Sequence, residues 1–407
     1  MADVRKTLGT VLSVDLILVR FISRLLIIAS LALIGCRRID NSRHEILGEK
    51  GSTVLFNREI PQQNLIVVGT ALDQAELSKQ FKGNTLRVLA WSECMPASAL
   101  DAFRERYGAR IVVEPFATDV EALKRLRNSS KYDLVLLSSH FAEDLLHNNE
   151  LSEFNGEQLA NSKYIDKEFR SLFQGDKKAC FVPYMWSLLG IAYNSSKLDF
   201  IPHSWSQLYS FDPQAAPVLR ERVGILPSSR LNFSMSLLSL GHDPNSENPL
   251  ELSEAQQFLK SRIEKLTVAE STSDMMNRMS DGRVLMAQAF ISDVARLNLS
   301  RIQFSAPKEG TCMRVDVFVI PKTVSPLQKA LAHAFVNYML QPEIAAAVVV
   351  SSFRCSTVGA ARAILPPKMK AAQSYLTRFG GDLPHLLSVS EQGFTFQQDF
   401  WDEMLVR

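Results

Sequence analysis

The 407-residue sequence lacks the patterns that mark catalytic, metal and nucleic-acid sites. Its five cysteines and seven histidines are scattered, with no CxxC pair, no HxxxH spacing and no GxSxG or GxxxxGK[ST] motif. The 45 basic and 43 acidic residues nearly cancel, so no excess of positive charge indicates nucleic acid. No apolar run reaches the roughly 18 residues of a transmembrane helix. We therefore expect neither an enzyme nor a nucleic-acid-binding protein, and no cofactor or metal.

The N-terminal region contains the most informative motif. The run from Leu25 to Ile34 is apolar or small and follows Arg20 and Arg24, which is typical of a secretory signal. It ends in Leu-Ile-Gly-Cys, which resembles the lipobox of bacterial lipoproteins and makes Cys36 the predicted lipidation site. A signal-anchor helix is the alternative, although upstream charges interrupt the span it would need. We predict a signal peptide over residues 1–35 and a periplasmic protein anchored to the membrane by lipid.

The chain after the signal is long enough for two lobes. Removing 35 of the 407 residues leaves 372, more than one ordinary core contains. We interpret residues 36–83 as a tether. From Leu86 onward, short apolar strands alternate with segments of helical periodicity, which predicts an α/β fold with parallel strands and crossover helices.

Two loops follow predicted strands of the first half. Trp91–Pro96 comes after the first strand and Ser138–Phe141 after the third. Ligands of open α/β sheets bind beyond the carboxyl ends of the strands, so we expect both loops at one edge.

The second half has its own strand and helix signals. Val223–Leu226 predicts a strand, Ser228 a helix cap, and Gly241 the end of that helix. Val284–Ala289 predicts a strand before a helix capped by Ser292. These signals also indicate α/β structure.

Four cysteines remain after Cys36, and their pairing stays open. Export permits disulfides, while buried free thiols are equally compatible with the spacing. The four are Cys94, Cys180, Cys312 and Cys355.

Several segments in order resemble the spermidine/putrescine-binding proteins of bacterial ABC importers. The resemblance covers roughly residue 85 to the C-terminus, and its combination of motifs is more specific than any one of them. The motifs are Val88-Leu89-Ala90-Trp91-Ser92-Glu93, Tyr132-Asp133-Leu134-Val135, Val182-Pro183-Tyr184-Met185-Trp186, Ile191-Ala192-Tyr193-Asn194, Ser204-Trp205-Ser206-Gln207-Leu208, Ala306-Pro307-Lys308-Glu309-Gly310 and Ala360-Ala361-Arg362.

The resemblance implies a two-lobed periplasmic-binding-protein fold, type II-like, with mixed or parallel sheets flanked by helices and several inter-lobe crossovers. Lobe one would combine residues 84–188 with 316–365, and lobe two residues 189–315 with 366–407. The implied function is delivery of a small solute, a polyamine in this family, to the permease and ATPase subunits of an ABC importer. We expect a monomer without enzymatic activity.

The resemblance also implies candidate ligand residues. Polyamine binders hold methylene chains between aromatic rings and ammonium ends on carboxylates. Trp91 and Glu93 match that design, Asp316 matches a carboxylate on the strand re-entering lobe one, and Ser138 matches a pocket serine. Ser92 lies in the same loop as Trp91.

Other candidate positions depart from the family pattern. Cys94 and His140 stand where tyrosines are typical, and Ser228 replaces an acidic residue at a helix start. Arg314 stands in place of a tryptophan and Arg354 in place of another aromatic residue. Cations at these positions would repel an ammonium ligand.

Two interpretations of the arginines follow. Either both face solvent, or the fold binds a different solute, such as one bearing a carboxylate or phosphate, for which the helix start at Ser228 would be suitable. Arg314, two residues before Asp316, is also a candidate structural partner for that carboxylate. A solute-sensing lipoprotein not coupled to transport and a structural envelope lipoprotein are further alternatives.

Overall fold

The computed structural model describes residues 78–172, 177–211, 214, 216–367, 369–370, 386–387 and 389–405. The predicted signal peptide, Cys36 and most of the predicted tether lie outside the described residues.

Strands and helices alternate along the described chain. The strands are β1 (Thr85–Leu89), β2 (Arg110–Glu114), β3 (Leu134–Ser138), β4 (Leu151–Ser152), β5 (Val182–Asn194), β6 (Val223–Ile225), β7 (Thr267–Val268), β8 (Met286–Phe290), β9 (Ile302–Ser305), β10 (Met313–Pro321) and β11 (Cys355–Ser356). The α-helices are α1 (Ala97–Tyr107), α2 (Asp119–Asn128), α3 (Ser139–His147), α4 (Lys167–Leu172), α5 (Lys177–Cys180), α6 (Trp205–Tyr209), α7 (Ser229–Leu240), α8 (Pro249–Lys260), α9 (Thr272–Ser280), α10 (Ile291–Leu297), α11 (Pro326–Met339), α12 (Pro342–Ser352), α13 (Ala361–Ile364) and α14 (Glu391–Leu405). Short 3-10 helices lie at Ser92–Cys94, Gly156–Gln158, Ala160–Tyr164, Pro217–Leu219 and Ile263–Lys265.

The described strands form a mixed sheet in the order β2-β1-β3-β10-β5-β8-β6-β7. β1 pairs in parallel with β2 and β3, and β6 pairs in parallel with β7 and β8. β10 runs antiparallel to β3 and β5, while β4, β9 and β11 pair at the sides of this path. The predicted α/β class with mixed sheets flanked by helices is confirmed.

The long strand β5 connects the two parts of the sheet. All of its 13 residues are buried. Its first part pairs with β10 and β11, and its second part pairs with β8 and β9. Gly190 lies where β9 approaches closely, because an added Cβ would overlap the Phe304 ring and lie 2.7 Å from the Ser305 carbonyl oxygen.

Most predicted helix boundaries are confirmed. The Ser228 hydroxyl accepts a hydrogen bond from the Leu231 amide at the start of α7, and Gly241 ends that helix with φ of 85°. The prediction of Ser292 as a cap is wrong. α10 begins earlier, at Ile291, and the Ser292 hydroxyl is hydrogen-bonded to Ser187 on β5 at 2.9 Å.

The four cysteines of the described region are buried free thiols, so the disulfide alternative does not apply among them. Burial raises the pKa of Cys94, Cys312 and Cys355 to about 12. Within the described ranges no single helix is long and apolar enough to span a membrane, while α11 and α12 meet that test only together and are bent by 77°.

Candidate solute-binding site

Two adjacent cavities lie at the ends of the strands. The first cavity, about 260 Å³, is lined by residues from the loops after β1, β2 and β6, from the end of β8, and from the starts of α2, α3, α7 and α9. The second cavity, about 380 Å³, shares Ala117 of the loop after β2 with the first and adds residues of α10 and Arg354. Trp91 and Arg314 line both cavities. The two loops predicted to share one edge therefore do meet, because Trp91 and His140 line the same cavity.

The structure brings most of the predicted ligand residues to these cavities. Ser138 and Asp316 are fully buried and contribute to neither lining. The predicted lining residues are Trp91, His140, Ser228 and Arg314 in the first cavity, and Trp91, Ser92, Glu93, Arg314 and Arg354 in the second.

Arg354 pairs with the two carboxylates that the resemblance to polyamine-binding proteins assigns to the ligand. Its guanidinium is hydrogen-bonded to Asp316 and donates to Glu93 at 3.0 Å. Arg296 lies 3.5 Å from the same Glu93 carboxylate and 2.6 Å from Asp293. Asp316 is 0% exposed and Arg354 3%, so the interpretation that Arg354 faces solvent is wrong.

These ion pairs set the charge state of Glu93. Burial alone would raise its pKa, but the attraction of Arg354 and Arg296 outweighs that cost and lowers the pKa to about 2. Glu93 is therefore an ionised carboxylate with its charge already matched by two arginines.

Arg314 is also buried, but its contacts differ from those of Arg354. It is 7% exposed, so the solvent-facing interpretation is wrong for this arginine too. Its Nε lies 3.3 Å from Asp316 Oδ1, which makes an ion pair, but neither atom has hydrogen-bond geometry to a partner. The guanidinium carbon lies 4.2 Å from the Phe290 ring centre and 5.2 Å from that of Trp91. The predicted partnership with Asp316 is thus a charge contact without a hydrogen bond.

Arg230 is a second buried arginine of the first cavity, and it was not among the predicted ligand residues. It is 3% exposed, and its guanidinium bonds to Ser234, Asn245 and the carbonyl oxygens of Pro244 and Leu387. All four acceptors are neutral. Burial lowers its pKa to about 10, which leaves it a cation at neutral pH.

The first cavity has a positive electrostatic environment. Burial, together with repulsion from Arg230 and Arg314, lowers the pKa of His140 well below its ordinary value. Four helices of at least nine residues begin at this cavity, namely α2, α3, α7 and α9. Their first-turn amides lack intrahelical acceptors and carry partial positive charge.

Two carboxylates balance part of this charge. Burial raises the pKa of Asp119, whose two oxygens accept hydrogen bonds from the Ser138 amide and hydroxyl at 2.9 Å each. This contact explains why Ser138 lies behind the cavity wall. Asp402 of α14 accepts from Gln398 at 2.8 Å.

The contribution of the C-terminal helix α14 to the first cavity was not predicted. Its aromatic residues, seven positions apart in a helical pattern, were the available signal, but their position depends on contacts with α7 such as the ring pair Phe233–Phe400. The cavity-lining residues of α14 are Phe394, Gln398, Trp401, Asp402 and Leu405. Within the described ranges, no cluster of three His, Cys, Asp or Glu side chains is suitable for a metal ion.

Comparison with known proteins gives the family. Residues 98–373 match the family of bacterial extracellular solute-binding proteins. The chain belongs to this family. It is 26% identical over 307 residues to the putrescine-binding periplasmic protein SpuD of Pseudomonas aeruginosa, covering 70% of this chain and 82% of that protein. The resemblance to polyamine-binding proteins of ABC importers is confirmed.

Solved structures with a similar fold superpose on most of this chain. A putative spermidine/putrescine ABC transporter protein from Listeria monocytogenes has a TM-score of 0.70 at 23% identity, covering 80% of this chain and all of that one. The binding protein AgtB of Agrobacterium tumefaciens R10, in complex with agropinic acid, has a TM-score of 0.61 at 17% identity and coverages of 80% and 98%. These likenesses support the predicted periplasmic-binding-protein fold.

Proposed function

We propose that this solute-binding protein is the lipid-anchored, extracytoplasmic receptor of an ABC importer, and that it binds its solute in the first cavity. The observation that carries the proposal is the meeting of Trp91, Phe290 and Arg314 in one cavity formed by loops from both parts of the sheet. Family membership supports the role in import, because the related proteins are named as periplasmic binding proteins.

The geometry favours a solute with an anionic group over a polyamine. A polyamine needs carboxylates for its ammonium ends, and the two candidates are already paired with arginines of the chain itself. Moving Arg354 away from both would leave a buried cation without its partners, at a cost of several kcal/mol. The fold is compatible with either solute, since one structural neighbour is named for spermidine and putrescine and another holds agropinic acid.

A thermal-shift panel on the purified full-length protein tests solute binding. A ligand at a hundredfold excess over its Kd stabilises the folded state by about 2.7 kcal/mol, which raises the Tm by several degrees. We expect small organic anions to stabilise and putrescine and spermidine to have no effect. Absence of any shift would contradict a receptor role, and a shift with the polyamines alone would restore the polyamine prediction.

The predicted lipid anchor has a separate test. Cells expressing the protein would be labelled with an alkyne fatty acid and fractionated. We expect label and membrane association in the wild type and the loss of both in Cys36→Ser. Cys94→Ser, at a buried thiol, is the matched control and should keep its label. Equal labelling of the Cys36→Ser variant would exclude acylation at this residue.

A further inference from the structure

Arg314 has a buried hydrogen-bond donor without an acceptor. An arginine carries five N–H donors, and buried polar groups in folded proteins nearly always find acceptors. Arg314 is more than nine-tenths buried, yet its buried Nε has no hydrogen-bond partner in the described ranges, and its contact with Asp316 is an ion pair without hydrogen-bond geometry. Trp91 beside it is 8% exposed, and its indole Nε1 also has no acceptor. Both side chains line the first cavity and need an acceptor.

We infer that the solute carries one carboxylate, which Arg314 binds in the first cavity. This inference rests on the proposed function and assigns the chemical class of the solute. A carboxylate supplies two acceptor oxygens in the plane of a guanidinium, so one group can satisfy two donors of Arg314.

The charge balance of the cavity favours a single negative charge. Arg230 and Arg314 face Asp119 and Asp402 among the lining residues, so the side-chain charges cancel. The starts of α3 and α7, which have no acidic residue in their first turns, add partial positive charge at the same cavity. A monocarboxylate neutralises this excess. A diamine would add two positive charges, and a phosphate dianion would add more negative charge than the helix starts supply.

The apolar wall indicates that the rest of the solute is organic. The rings of Trp91 and Phe290 flank the Arg314 guanidinium, and α14 contributes Phe394, Trp401 and Leu405 to the same cavity. Aliphatic groups extending from a carboxylate at Arg314 would contact these side chains. Inorganic anions would leave this surface uncovered.

A chain-length series separates the carboxylate from the amine. The probes are unbranched monocarboxylates from acetate to hexanoate, their ω-amino derivatives, the diamines of matching length, and inorganic phosphate. 4-Aminobutanoate and putrescine form the sharpest pair, because both have four carbons and differ at one end only. Binding to the full-length protein would be followed by thermal shift and titration calorimetry. We expect stabilisation by at least one carboxylate and by no diamine.

Variants at Arg314 test the assignment of the residue. Arg314→Gln should weaken carboxylate binding about ten- to hundredfold, the range of a lost hydrogen bond to a charged group. Arg314→Lys keeps a positive charge beside Asp316, so it should fold even where Arg314→Gln does not, and it should also bind more weakly. Arg278→Gln is the matched control, since Arg278 pairs with Asp274 on α9 and lines neither cavity. Its affinity should equal that of the wild type.

The outcomes distinguish this inference from the proposed function. Stabilisation by diamines alone would overturn the carboxylate assignment while leaving the receptor function intact. Stabilisation by phosphate alone would overturn the carboxylate in favour of an inorganic oxyanion. Unchanged affinity in folded Arg314→Gln and Arg314→Lys would overturn the role of Arg314. If no probe of any class binds, both the inference and the receptor function fail.

Discussion

Arg354→Met should strongly destabilise the fold, because Arg354 balances two carboxylates in a buried site. The side chain is 3% exposed and pairs with the fully buried Asp316 and with Glu93. Methionine has a similar length and no charge, so the variant removes the cation and fills most of its volume. Among the described residues, the Asp316 carboxylate would keep only its contact with Arg314, which is 3.3 Å long and lacks hydrogen-bond geometry.

Two observations give the expected loss in the free energy of unfolding of Arg354→Met. Breaking a buried ion pair by removing one partner costs about 3–5 kcal/mol, since the remaining charge stays buried. Independently, the fall in the pKa of Glu93 from 4.5 to about 2 corresponds to about 3 kcal/mol of favourable interaction, shared between Arg354 and Arg296. We therefore expect a loss of about 4 kcal/mol in the free energy of unfolding.

Urea unfolding of the full-length protein, followed by tryptophan fluorescence and circular dichroism, measures this loss. Arg104→Met is the control, because Arg104 and Asp101 form an exposed ion pair and its removal should change nothing measurable. Combining Arg354→Met with Asp316→Asn should cost less than the two single changes added together, since the contact is counted twice in that sum. Equal losses for Arg354→Met and Arg104→Met would refute the reasoning.

Three further predictions follow from individual contacts. Folding lowers the pKa of Glu93, so its contribution to stability is complete above its ordinary pKa of 4.5 and is lost as the pH falls towards 2. The free energy of unfolding, measured between pH 6 and 2.5, should show this loss, and the pH-dependent loss should be smaller in Glu93→Gln. Gly190→Ala should destabilise the fold by about 1–3 kcal/mol because its Cβ would overlap the Phe304 ring, whereas Gly156→Ala, with open space around its Cβ, should leave the stability unchanged. Equal Tm values for the two variants would contradict the close approach of β9. The four cysteines of the described region are buried thiols, so reducing agents should leave the Tm unchanged and thiol reagents should react only after unfolding; a lower Tm on reduction would indicate a disulfide.

Much of the fold could be predicted from the sequence because its signals are local. The apolar run before Ser138 forms β3, and the Gly108 and Gly241 positions end helices in the left-handed conformation. Ser292 shows the limit of such signals. A serine at a helix start predicts a cap, but here its hydroxyl bonds to Ser187, which is 105 positions away in the sequence.

The candidate site could be predicted only in part, because its properties depend on pairing between distant residues. Trp91, Glu93 and Arg314 were candidates because the resemblance to polyamine-binding proteins places them at ligand positions. The contact of Arg354 with Glu93 joins residues 261 positions apart, and no local pattern reports it. Arg230 was not among the predicted ligand residues, since its burial depends on acceptors from segments folded around it.

The two buried arginines change what the family's carboxylates can do. In a polyamine site, Glu93 and Asp316 would lose water when the ligand arrives and gain its ammonium groups in return. Here Arg354 supplies that positive charge within the chain, so the carboxylates are neutralised before any solute binds. Arg314, whose guanidinium lies over the rings of Trp91 and Phe290, then remains as a cation at the cavity whose Nε has no hydrogen-bond acceptor. This replacement of ligand cations by cations of the chain is the reason that we propose a solute with an anionic group in place of a polyamine.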